Sequence, residues 1–146
     1  MDRGALLQLW NDMAKEGNWV PSWPDSLANL SPQAAAWTPG PNCHSIWQEV
    51  SHVIFWRQAT LKLMAGGASP TADEVEQHEF ALPDTVDADS WAATIESLRR
   101  THEDIVAAIV GNEADISRVS YHLIHDAYHL GRITQLRGMQ GTPPTF

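Results

Sequence analysis

Three histidines, His122, His125 and His129, stand close together in the stretch YHLIHDAYHLGRITQLRG, residues 121–138. Read as a helix, His125 and His129 are four apart and sit one turn apart on one face. His122, three residues before His125, falls on the same side. That face continues with the apolar Ile133 and Leu136, so it turns towards a core. A histidine pair pointing into a core is costly unless its nitrogens are used. A divalent metal uses both, because two imidazoles one turn apart can reach a single ion. The alternative is a pair of half-buried histidines with ordinary hydrogen-bond partners. The pair is not the HExxH of a metalloprotease: it reads His125-Asp126-Ala127-Tyr128-His129, with aspartate where that motif has glutamate.

Two further histidines lie on helical faces. His52 shares a stripe with Trp56, Ala59 and Leu63. Taken alone, it reads as a satisfied core or boundary histidine. Glu49 lies near that stripe, either supporting a ligand histidine or serving as a solvated first-turn acid that favours the helix dipole. His102 occupies the seam Trp91, Ile95, Leu98, His102, Ile105, Ile109. It reads as a hydrogen-bonded core histidine, with contact to a metal site as the alternative. Cys43 and His44 are neighbours in sequence only and belong to the loop leading into a helix. Glycine-rich phosphate loops, a dinucleotide fingerprint and the G-x-S-x-G elbow are all absent.

Four long helices must position these groups. The first spans 4–16, with Leu6, Leu9, Trp10 and Met13 at helical spacing and Gly17 as its stop. The second runs from about Ser45 to Met64. Ser45 and Gln48 form a capping box there, and Gly66-Gly67 ends it. The third begins near Ser90, behind Asp87 and Asp89, and closes at Gly111. The fourth starts around Ser117 and ends at Gly138, leaving the tail GTPPTF irregular. Between the first two lies a Pro- and Trp-rich connection, 19–42. It contains one short helix opened by Ser31-Pro32, and Trp19, Trp23 and Trp37 are available to pin it; a lid over a pocket is the other reading. A second long connection covers 66–89. The pattern is all-α, a four-helix bundle in one domain, 1–146.

Composition narrows the function. The formal net charge is −9, which argues against nucleic acid and against an anionic membrane surface as partners. The single cysteine permits no intrachain disulfide. Neither a signal peptide nor an apolar run of membrane-spanning length is present, so a cytoplasmic protein is expected.

Two segments together resemble a known family. HSIWQEVSHVIFWR (44–57) and HDAYHLGRITQLRG (125–138) are similar to the DinB-like four-helix metalloproteins, which include transferases and isomerases that use bacillithiol, mycothiol or related thiols. That family carries one histidine in its second helix and H-x3-H in its last, commonly followed by Gly and Gln or Arg. The matching residues here are His52, His125 and His129, with Gly131-Arg132 close behind. The resemblance implies a variant up-and-down bundle, often a homodimer, with a divalent metal on the three histidines. Zinc and nickel both suit imidazole. A low-molecular-weight thiol activated as thiolate would then attack a small electrophile. Asp126, Glu49 or Tyr128 would orient a ligand ring. Arg57 or Arg132 would hold a substrate carboxylate, or else be a solvated helix-face charge. Competing readings are a hydrolase using metal-bound hydroxide and a non-catalytic metal-binding bundle, for which His122 or His102 would supply a fourth ligand.

Overall fold

Seven helices, and no strand among the described residues, make up the computed structural model, which describes residues 2–15, 17, 19–112 and 115–144. They are α1 (Arg3–Lys15), α2 (Trp23–Leu27), α3 (Pro32–Ala36), α4 (Ile46–Met64), α5 (Ala72–His78), α6 (Ala88–Val110) and α7 (Ile116–Met139). The four long ones match the four read from sequence. Their starts are fixed by side-chain caps: Ser45 with Gln48 in a full capping box for α4, Asp87 for α6 and Asp115 for α7. The last helix therefore begins slightly before the expected Ser117. Glu16, inside the first expected helix, lies outside the described residues. Beyond α1, Gly17 takes φ +67°, and a Cβ there would come within 2.8 Å of the Val20 carbonyl oxygen. Only glycine lets the chain turn this tightly.

Two short helices were not anticipated. Ser22 caps α2, and Thr71 caps α5 in a box with Glu74. Both follow the Ser/Thr-x-x-acid pattern that opens a helix. The pinning tryptophan of the first connection is Trp23, 5% exposed, whereas Trp19 is 96% exposed and pins nothing. Arg137 completes the anchoring. Its Nη1 donates to the carbonyls of Ser26 and Ala28, each at 2.9 Å, and its Nε donates to Thr142 O at 2.6 Å. The C-terminal tail is thereby tied down as far as Thr142.

The long helices have a definite order in space. α4 packs against α6 and α7, and α1 packs against the same two, so α1 and α4 occupy opposite corners. Trp47 meets Trp91 and donates to Thr94 near the start of both helices, while Arg57 reaches the Leu98 carbonyl further along, so α4 and α6 run parallel. Glu49 meets Arg132, and Thr60 meets His122, so α4 and α7 are antiparallel. Arg3 reaches Ile109 O, and Trp10 packs on His102, so α1 opposes α6. The sequence of directions is up, down, down, up. A parallel pair needs a crossover, and the long 65–87 connection supplies it.

Leu6, Trp10, Ile46, Trp47, Val50, Val53, Ile105, Val119, Leu130 and Ile133 are fully buried and form the centre of the core. On α4 the buried arc runs through Ile46, Val50, Val53, Arg57 and Thr60. It is rotated from the expected His52–Trp56 stripe because α4 is covered from two sides. His52 and Trp56 flank it, partly buried, on the side of α7. No helix among the described residues is long and apolar enough to cross a membrane.

Candidate metal centre

Because α4 and α7 are antiparallel, residues rising along one meet residues descending along the other. His52 thus faces both members of the helical pair. Its Nε2 lies 3.1 Å from Nε2 of His125. The ring centroids of His52 and His129, and of His125 and His129, are each 4.5 Å apart. One nitrogen from each of the three rings lies within 4.8 Å of the others.

Buried carboxylates fix which nitrogen of each α7 ring is free. Nδ1 of His129 stands 2.6 Å from Glu49 Oε2. Burial opposes ionisation of Glu49, but the hydrogen bond from His129 and the charge of Arg132 outweigh it and hold the carboxyl below its usual range. An ionised carboxylate only accepts, so Nδ1 of His129 carries a hydrogen, and Nε2 is the nitrogen left to face the other rings. His125 is held alike, its Nδ1 3.1 Å from Asp126 Oδ1. Asp126 is fully buried; burial again opposes its charge, and the Arg57 guanidinium overcomes it and keeps the carboxyl well below the usual carboxylate range. Glu49 is therefore no solvated first-turn acid, and Asp126, on the inner side of α7, reaches a candidate ligand ring directly.

His52 has a different environment. Burial first, then the neighbouring His129 and His125, push its pKa down to about 4, so it is neutral at pH 7. Its Nδ1 has no hydrogen bond among the described residues and faces Glu79 Oε2 at 3.5 Å. Glu79 also accepts from Trp56 Nε1 at 3.2 Å. Phe80 stacks on His52 at 4.3 Å and on His44 at 3.6 Å. Glu79 and Phe80 come from the segment after α5 and were not foreseen as site residues. The one signal was the capped α5 just before them, which stops that connection from being a free loop.

Two lone-pair nitrogens at 3.1 Å repel unless a proton or a cation lies between them. In tetrahedral zinc, with Zn–N of about 2.0–2.1 Å, ligand nitrogens stand about 3.3 Å apart. Three imidazoles, two with their outer nitrogens tied to carboxylates, therefore fit a divalent ion, and this cluster could hold one.

The remaining candidates fall elsewhere. His122 joins a second cluster with His125 and Asp126, but its Nε2 lies 3.0 Å from the Trp56 carbonyl and 2.7 Å from Thr60 Oγ1. A carbonyl only accepts, so that nitrogen carries a hydrogen; the other, Nδ1, lies 3.8 Å from Asp126 Oδ1, and His122 is not part of the group formed by His52, His125 and His129. Asp126 in turn belongs to Arg57, whose Nε donates to Oδ2 at 2.8 Å and whose Nη2 stands 2.6 Å from the same oxygen. Arg57 is fully buried. It is no solvated charge, and its guanidinium is taken up by Asp126 rather than offered to a substrate carboxylate at the histidine cluster; its stripe neighbours Val50 and Val53 draw it inside, where Asp126 compensates its charge. His102 lies against Trp10, away from both clusters. Arg132 does stand at the site, half-exposed, its Nε on Glu49 Oε1 at 2.8 Å and its Nη1 on the Tyr128 hydroxyl at 3.1 Å. Tyr128 thus orients Arg132 rather than a histidine nitrogen.

Among curated proteins no match is found, and no solved structure matches the chain. The model of the DinB superfamily matches residues 3–135, from the first residue of α1 deep into α7 and across all three clustered histidines. The chain belongs to the DinB superfamily.

Proposed function

We propose that the protein binds one divalent metal, zinc or nickel, through His52, His125 and His129, and serves as a thiol-dependent transferase joining a low-molecular-weight thiol to a small electrophile. The observation that carries this reading is the donor set: three imidazoles converge, and among the described residues no fourth donor belongs to the same group. Structural zinc is usually enclosed by four protein ligands, whereas three leave a position for a small molecule. When bound, the ion supplies Lewis acidity that favours a thiol as thiolate. The chain's own groups do the positioning. Glu49 and Asp126 hold the rings of His129 and His125 in the tautomer that aims Nε2 inward. Arg132, fixed by Glu49 and Tyr128, offers the rest of its guanidinium to a substrate carboxylate. The outer face of α7, with Tyr121, Ile124 and Tyr128 all more than half exposed, supports association of two copies, to be checked by sedimentation.

Elemental analysis of chelator-free protein tests the site. About one metal per chain is expected, and none in His52→Ala or His129→Ala. Titration of a small thiol into the cobalt-substituted protein tests the chemistry. A sulfur-to-metal charge-transfer band is expected; its absence, with metal bound, would favour hydroxide-based hydrolysis or a non-catalytic role.

A further inference from the structure

On the far side of Arg57 from the histidine cluster lies a cavity of about 370 Å³ between α1, α2, α4 and α6. Ala14, Trp23, Leu27, Leu98 and His102 line it, and Arg57 forms part of its wall. Protein interiors pack at crystal-like density, with few voids larger than a water molecule. A space of this size lies instead in the range of small-molecule pockets. The five-residue α2 contributes Trp23, Pro24 and Leu27 to its lining.

The walls define what the cavity can take. They are almost wholly apolar, and the charge beside them is already compensated: the Arg57 guanidinium is paired with Asp126 and sits 5.0 Å from the Trp10 ring and 5.4 Å from the Trp23 ring. His102 is 9% exposed, and neither of its ring nitrogens has a partner among the described residues. Trp23 Nε1 is likewise buried and unpartnered. Burial and the nearby Arg57 hold the His102 pKa down at about 4, so its imidazole is neutral and offers one donor and one acceptor. Unmet buried polar groups each cost about 1–3 kcal/mol, and a ligand that reaches them from the cavity would relieve that cost.

We infer that this cavity is a second small-molecule site, taking an uncharged, largely apolar ligand with a single hydrogen-bonding group, of the phenol or alcohol class, met by His102 and Trp23. Both arginines of the wall are already paired, Arg57 with Asp126 and Arg99 with Glu96 and Glu103, so an anion would find no free cation there, and a pure hydrocarbon would leave the nitrogens unmet. Arg57 touches this cavity and also holds Asp126, which holds His125. The same side chain thus stands in the cavity wall and braces the histidine cluster.

Three probes with one ring and different head groups test the inference: 4-methylphenol, toluene and 4-methylbenzoate, each titrated into the full chain and followed by ¹H–¹⁵N spectra. Saturable 4-methylphenol binding is expected, with the largest shifts at the indole N–H of Trp23 and Trp10. Toluene should bind about fivefold more weakly, the yield of one net hydrogen bond, and 4-methylbenzoate not measurably. Ala14→Phe should abolish binding by filling the cavity; Ala28→Phe, at its exposed rim, replaces it if that variant does not fold. His102→Leu should bring phenol and toluene to within twofold of each other. No binding of phenol or toluene, phenol shifts that survive the filled cavity, or the benzoate binding best would each overturn the inference.

Discussion

Helix α4 has two seams of opposite character. Against α6 it is mainly apolar, built on Trp47, Val50, Val53, Trp91 and Leu98. Against α7 it is polar along its length, through Glu49 with His129, His52 with His125, Arg57 with Asp126, and Thr60 with His122. Buried polar contacts of this kind add little net stability against packed apolar surface. The comparison teaches a division of labour. The α4–α6 seam carries the stability that lets the α4–α7 seam hold costly groups in fixed positions.

The largest effect expected is at Asp126. Asp126→Ala leaves Arg57 buried without a counter-charge, and chemical denaturation should show a loss of about 3–5 kcal/mol. A loss below 1 kcal/mol would mean that the polar seam is wetter than described. Next comes metal dependence. Metal at a hundredfold excess over its Kd should stabilise wild type by about 2.7 kcal/mol. His129→Ala should melt at the same temperature with and without chelator. Glu49→Gln sharpens the point: a supporting carboxylate lost without loss of volume should weaken metal binding about 10- to 100-fold by competition titration, with a much smaller change in the melting of metal-free protein.

A pH series separates the two seams. His102, on the apolar side, has a folded pKa of about 4 against an ordinary 6.5. Its neutral form is favoured by folding, so its contribution is complete above pH 6.5 and is lost as pH falls towards 4. His102→Leu should therefore flatten that limb of the stability curve by about 3 kcal/mol. An unchanged slope would assign the limb to the α7 seam. The smallest effect belongs to the crossover: Thr71→Ala should lower stability by about 1 kcal/mol through the lost cap of α5, with metal binding nearly unaffected.

Much of this was legible in the sequence because it is local. His125 and His129 are one turn apart in any helix, and caps such as Ser45 with Gln48 lie within four residues. The bundle followed from helical periodicity, and the three clustered histidines from two motifs. What escaped depends on distant pairing. Arg57 and Asp126 are 69 positions apart, and nothing local marks them as partners. A charge in phase with Val50 and Val53 was nevertheless a sign of burial. Glu79 and Phe80 escaped for a related reason: they ride on a connection whose path is set by the parallel α4–α6 pair rather than by its own pattern.

That topology also sets an order in time. His52 and His125 are separated by 73 positions, and the histidine cluster needs α7, which leaves the ribosome after α1, α4 and α6. A chain still being synthesised can dock α1, α4 and α6 and bury most of the apolar seam, but it cannot assemble the three-histidine cluster. Such non-local closure comes late because its loop entropy must first be offset by other contacts. Capture of an ion at the full cluster would then register that all four long helices have been made and docked.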